Sequence, residues 1–149
     1  MRDIEFRGYC LEDDRWTKGS LLKKGDCFFI NPVNAAHKNF KPVDPETIGQ
    51  YTGVNDKNGN KIFEGDILST HYANAKKADF IETVVFKDGK FMAESRFNNG
   101  TGRSWMALPD GTRRFCLHWQ PPPIYMEACE IIGNIFDNPE LLNNLKERA

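Results

Sequence analysis

The chain has 149 residues, 40% of them hydrophobic, with 11 Phe and 3 Trp. That composition is too apolar for a disordered segment, and the length suits one domain with a buried core, spanning 1–149. A formal net charge of −1 supplies no global field for nucleic acid or an anionic membrane, so either would need a local patch.

In chain order, Ile4 to Tyr9 alternates as a first strand, and Glu12 to Arg15 is a polar turn. Trp16 to Leu22 returns as a second strand. Lys24-Gly25-Asp26 turns into a third, Cys27 to Ile30, and Asn31-Pro32 is expected to stop it because proline has no N–H for a ladder. The chain to Phe40 reads as loop. Asp44-Pro45-Glu46-Thr47 is a helix start, with Asp44 as cap and Pro45 preset for the first position. Gly49 follows at once, so a single turn to Ile48 is expected. Gln50 to Thr52 is extended, with Gly53 ending it. Asn55 to Gly59 is a tight turn, Lys61 to Phe63 a strand, and Glu64-Gly65-Asp66 a turn into Ile67 to Tyr72.

Ala73 to Asp79 reads as a polar loop. Phe80 to Lys87 is the clearest strand, and Asp88-Gly89 predicts a type I′ hairpin into Phe91 to Ser95. Met106 to Thr112 suggests a turn, Arg114 to Trp119 a strand, and Pro121 to Pro123 a polyproline spacer. Cys129 to Ile135 is a late strand. Asn138-Pro139-Glu140 opens a last helix, to about Lys146, whose Leu141, Leu142 and Leu145 form an apolar stripe. The fold class is mainly β with minor α: a bent sheet or partly open SH3-like barrel with a short C-terminal helix.

Reactive constellations are sparse. Cys10, Cys27, Cys116 and Cys129 form no CxxC and match no zinc template, so they read as small core hydrophobes. His37, His71 and His118 are scattered. Cys116 and His118 share a strand face but lack two further ligands placed by the sequence. Asp56, Asn58 and Asn60 suggest a calcium loop, but the sixth and twelfth positions hold Lys61 and Ile67, where that loop needs glycine and glutamate. A hairpin turn is the simpler reading. Glu64 and Asp66 could act as a carboxylate pair, yet Gly65 between them marks a turn in which Asp66 bonds local amides. No nucleophile elbow or phosphate loop is present. No catalytic residue, metal site or cofactor is assigned.

Arg96 to Gln120 is the one stretch with a functional composition. Arg96, Arg103, Arg113 and Arg114 stand against the single acid Asp110, a local charge of +3. Phe97, Trp105, Phe115 and Trp119 are interleaved. Arginine with aromatics on a small β domain suits single-stranded nucleic acid or a protein interface. The plainer reading is a buried strand face of Phe115, Leu117 and Trp119 with solvated arginines. The possible binding surface is therefore Arg96, Arg103, Trp105, Arg113, Arg114 and Trp119.

Several motifs occur together and in order: Ile4-Glu5-Phe6-Arg7-Gly8, Asp44-Pro45-Glu46-Thr47, Gly49-Gln50-Tyr51-Thr52-Gly53, Asp56-Lys57-Asn58-Gly59, Ile62-Phe63-Glu64-Gly65-Asp66-Ile67, and Ile131-Ile132-Gly133-Asn134-Ile135-Phe136-Asp137-Asn138-Pro139-Glu140-Leu141-Leu142. With these the chain resembles the YopX-like family of phage and prophage proteins. The segment from about Arg96 to Tyr125 lies outside the matched motifs and reads as an insertion. The resemblance implies a β-rich phage protein and carries no activity, cofactor or catalytic residue. A non-catalytic accessory protein is expected, acting by protein contact with host or phage partners or by self-assembly, with nucleic-acid binding through 96–120 as the alternative. The longest apolar runs are four residues, so no membrane span is expected. Met1 to Arg7 lacks the apolar core of a signal peptide, so the bacterial cytoplasm is the expected compartment.

Overall fold

The computed structural model describes residues 1–35, 37–70, 80–96, 112–117 and 129–147; for 80, 95–96, 112–116 and 144–147 the description is of backbone. The fold is mainly β, with eleven strands in two antiparallel sheets and one short helix among the described residues. These strands close no barrel. The chain divides into two compact units, Met1–Gly53 and Val54–Ala149.

In the first unit, β1 (Phe6–Cys10), β2 (Arg15–Lys24), β3 (Cys27–Pro32), β4 (Lys41–Pro42) and β5 (Gly49–Asn55) lie in the order β4-β3-β2-β1-β5. Alternation sets the core: Cys10, Ile30 and Val43 are buried, with Phe6, Leu21, Phe28 and Ile48 packed on them. Between Asp44 and Ile48 the chain makes one 3-10 turn, Pro45–Thr47. The Asp44 carboxylate accepts from Glu46 N at 3.0 Å, as a cap should. Thr47 Oγ1 donates to Asp44 O at 2.7 Å and accepts from Tyr9 N at 2.8 Å, fastening the turn to β1.

Two expectations for this unit are corrected. Strand β3 runs through Asn31 to Pro32, which pairs with Gly19, and the next bond to β2 is donated by Val33 N to Lys18 O at 3.3 Å, so the ladder passes the proline without an N–H from it. Gly53 does not end β5; it takes a positive φ of 86° inside it. The short β4 was unforeseen, because two residues carry no periodic signal.

The second unit begins in β5, whose neighbour β6 (Lys61–Phe63) follows the Asp56–Asn60 turn. Its five-stranded sheet comprises β7 (Asp66–Thr70), β8 (Phe80–Lys87), β9 (Lys90–Arg96), β10 (Thr112–Cys116) and β11 (Cys129–Asn134), in the order β10-β9-β8-β7-β11. Helix α1 spans Glu140–Glu147. Ile62, Leu68, Val84, Phe91, Ala93, Leu117 and Cys129 form the core. The β8–β9 hairpin turns on Asp88 and Gly89 at φ 51° and 73°, the two positive values a type I′ turn requires. Leu141 and Leu142 are half-buried, as an apolar stripe should be. The expected Ala73–Asp79 loop, the 106–111 turn and the proline spacer lie outside the described residues.

Candidate functional surfaces

The side chains of Asp56, Asp66 and Asn134 accept from backbone amides. Asp56 Oδ1 accepts from Asn58 N and Asn60 N, both at 2.9 Å, which closes its own turn. Asp56 Oδ2 accepts from Ile131 N at 3.2 Å, 75 residues away. Beside it, Lys57 N donates to Cys129 O at 2.9 Å. The turn therefore lies along β11, the last strand in the order of its sheet, and occupies groups a further strand would use. Lys57 Nζ and Glu130 add an ion pair at 2.6 Å across the same seam, and that bond holds the Lys57 amine above its ordinary pKa. Both side chains are substantially exposed, so the pair contributes little to stability. Burial alone would raise the Asp56 carboxyl, but the amides of Asn60, Ile131 and Asn58 and the Asn60 side chain outweigh it and hold the pKa below the usual value.

Asp66 behaves similarly. Its side chain is buried and accepts from Phe63 N at 2.7 Å, closing the Glu64-Gly65 turn. This is the local backbone bonding expected of it. The calcium-loop residues Asp56, Asn58 and Asn60 form the simpler hairpin turn. Among the described residues no three His, Cys, Asp or Glu side chains come together to hold a metal ion. Cys10 and Cys129 are buried as core hydrophobes, whereas Cys27 is exposed at the start of β3, contrary to the expectation for all four.

After β11, Asn134 Oδ1 accepts from Phe136 N and Asp137 N at 3.0 and 2.9 Å. Asn138, expected to cap α1, instead turns its Oδ1 back to Asn134 N at 3.3 Å. That side chain fills the space over Gly133, where an added Cβ would lie 2.4 Å from Asn138 Oδ1. Gly133→Ala is expected to expel the Asn138 side chain and cost about 1–2 kcal/mol, the scale of a lost buried hydrogen bond. In urea unfolding the cost should shrink in the double variant with Asn138→Ala, because the second change removes the two closest atoms, Oδ1 and Cγ, and leaves only Cβ at 3.0 Å.

Three of the six residues expected to form a binding surface lie on described backbone. Arg96 ends β9, and Arg113 and Arg114 lie on β10, with Thr112 opposite Arg96, Arg113 opposite Ser95 and Arg114 opposite Glu94. The three arginines are thus brought to neighbouring backbone positions by the β9–β10 ladder. Arg103, Trp105 and Trp119 lie outside the described residues, as do His71 and His118.

A family model described as "YopX protein" matches residues 5–143. The chain belongs to the YopX family. The matched residues include Asp44, Asp56, Asp66 and Asn134, so their turn-closing roles belong to the YopX region of the chain. No curated protein matches the chain. Among solved structures, the crystal structure of protein EF1440 from Enterococcus faecalis is similar, with 20% identity and a TM-score of 0.50, over 95% of this chain and 99% of that one. At that identity the likeness concerns the fold alone.

Proposed function

We propose that the protein is a phage or prophage accessory protein of the bacterial cytoplasm that acts through protein contacts, self-assembly included, and not by catalysis. The observation that carries this reading is the use of the motif carboxylates. Asp44, Asp56 and Asp66 each accept from backbone amides of their own turns, and general acid–base work needs a carboxylate aimed at a substrate. The second unit also exposes apolar side chains that a partner would cover. Phe86 is 51% exposed although its ring packs on Phe91, and Ile132 and Phe136 are exposed at and after β11.

Light scattering on a sizing column over about a hundredfold range of concentration tests this reading. The expected mass rises above the 17.1 kDa of one chain, and Phe86→Ser should lower it. A mass of 17.1 kDa at every concentration would overturn self-assembly.

Nucleic-acid binding through 96–120 is a second reading, favoured by one observation. Strand β10, which carries Arg113 and Arg114, comes first in the order of its sheet.

A further inference from the structure

The most basic stretch of the chain is not 96–120. Residues 15–42 hold Arg15, Lys18, Lys23, Lys24, Lys38 and Lys41 against one acid, Asp26, a net charge of +5. Arg15 and Lys41 are already paired with Asp13, just before this stretch, at 3.5 and 3.1 Å, so its attraction for a polyanion rests on Lys18, Lys23, Lys24 and Lys38.

The β2–β3–β4 ladder sorts this stretch into two faces. Leu21 pairs with Ile30 on the face that enters the core. The next pair, Leu22 with Phe29, must therefore point the other way, and Phe29 in turn pairs with Pro42. Leu22, Phe29 and Pro42 thus form an apolar row across three strands, roughly 10 Å wide at the usual strand spacing. Leu22 is 41% exposed, and Phe29 and Pro42 are half-buried. On β2 the exposed residues of the same parity are Lys18, Ser20, Leu22 and Lys24, so the two lysines lie on either side of Leu22 along the strand, roughly 20 Å from each other. Asn31 lies on this face too. Its Oδ1 accepts from Asn39 N at 3.0 Å, which holds the loop bearing Lys38 and the exposed Phe40 to the same side.

We propose that this exposed face of β2–β3–β4 binds single-stranded nucleic acid, with Phe29 and its apolar neighbours as a base platform and Lys18, Lys24 and Lys38 tracking the phosphates. The composition favours a nucleic acid over an acidic protein segment. Lysine is depleted in protein interfaces, whereas an aromatic ring on a sheet flanked by cations is how unstacked bases are held. Duplex bases are already stacked and cannot use the platform. The proposal is independent of the protein-contact role proposed for the second unit.

Anisotropy titration of the full chain with fluorescent dT and rU oligomers of about 12 nucleotides tests it, at about 50 and 200 mM salt. Three phosphate contacts predict roughly a tenfold or greater loss of affinity across that range, and the two oligomers show whether DNA or RNA is preferred. Lys18→Ala with Lys24→Ala should reduce the salt slope by about 1.4 and weaken binding at low salt. Phe29→Leu keeps an apolar side chain but removes the ring, and should weaken binding about tenfold. If Phe29→Leu does not fold, the two exposed lysines still decide. Binding that survives their removal, or that is lost instead on Arg113→Ala with Arg114→Ala, would overturn the assignment. So would absence of binding at low salt, equal affinity for duplex, or displacement by polyglutamate as readily as by oligo-dT, which would identify an acidic protein as the ligand.

Discussion

Asp56→Ala should destabilise the second unit by about 3 kcal/mol, because it removes one acceptor shared by three backbone amides. Asp56 is only 6% exposed, so water cannot readily replace the carboxylate for Asn58 N, Asn60 N and Ile131 N. The loss should be visible in hydrogen exchange first at Ile131, whose N–H depends on a side chain 75 residues away. Asp56→Asn should fall between, since its amide can accept with one atom but presents donors with the other. Acid should mimic the substitution. The folded carboxyl is held below its ordinary value, so its contribution is fully present above the unfolded pKa of about 3.9 and is lost as pH falls through the lower folded value. In Asp56→Asn that part of the acid dependence should vanish. An unchanged urea midpoint for Asp56→Ala would show that the clasp on β11 holds nothing together. With the clasp gone, the freed groups of β11 also become available to another strand, so the variant should aggregate more readily.

The turns of this protein are legible because their chemistry is local. Asp44-Pro45, Asp56 to Gly59 and Asp88-Gly89 each specify a backbone shape within five residues, and each is found in that shape. Long-range uses of the same residues are not legible. Nothing in Asp56-Lys57-Asn58-Gly59-Asn60 announces that one carboxylate oxygen reaches Ile131, or that Asn138 serves Asn134 in preference to its own helix. Strand ends are read poorly for a related reason. Pro32 and Gly53 are locally poor strand residues, but the neighbours they pair with in the sheet determine whether the strand continues. The basic face of β2–β3–β4 is a third kind of case. Its charge can be counted from the sequence, yet the placing of Lys18, Leu22 and Lys24 beside Phe29 and Pro42 follows only from the register with β3 and β4. A one-residue slip would send Leu22 inward and Leu21 out, and the same composition would make no platform.

That ladder has one point of close approach at Gly19, and Gly19→Ala should cost more than the same change at Gly8 or Gly133, where the obstacle is side chain. Gly19 lies between Phe6 on β1 and Pro32 on β3. A Cβ built there would stand 1.9 Å from the carbonyl oxygen of Asn31 and 2.8 Å from its carbonyl carbon. Both are backbone atoms of a paired strand, so no rotamer change relieves the overlap, unlike at Gly133, where a side chain can swing aside. The strands must part, and the pairing from Gly19–Pro32 outward is what they lose. A cost of about 4 kcal/mol is expected, above the usual range for overpacking because the obstacle is main chain. Gly25→Ala is the control. That turn glycine has open space around its Cβ position but a φ of 60°, so its cost should be only about 1 kcal/mol, from backbone conformation alone. Hydrogen exchange of β2 and β3 amides separates the two: Gly19→Ala should lose protection across the ladder, Gly25→Ala only near the turn. The two compact units give this comparison an internal reference. Protection in β7, β8 and β9 should fall far less than protection in β2 and β3 if Gly19 acts through the ladder it occupies. The same variant should abolish oligonucleotide binding by the β2–β3–β4 face, since Leu22, Phe29 and Pro42 are aligned by that ladder. A Gly19→Ala protein with wild-type stability would mean that β2 and β3 lie farther apart at Asn31 than the close approach implies, and the alignment of the platform would fall with it.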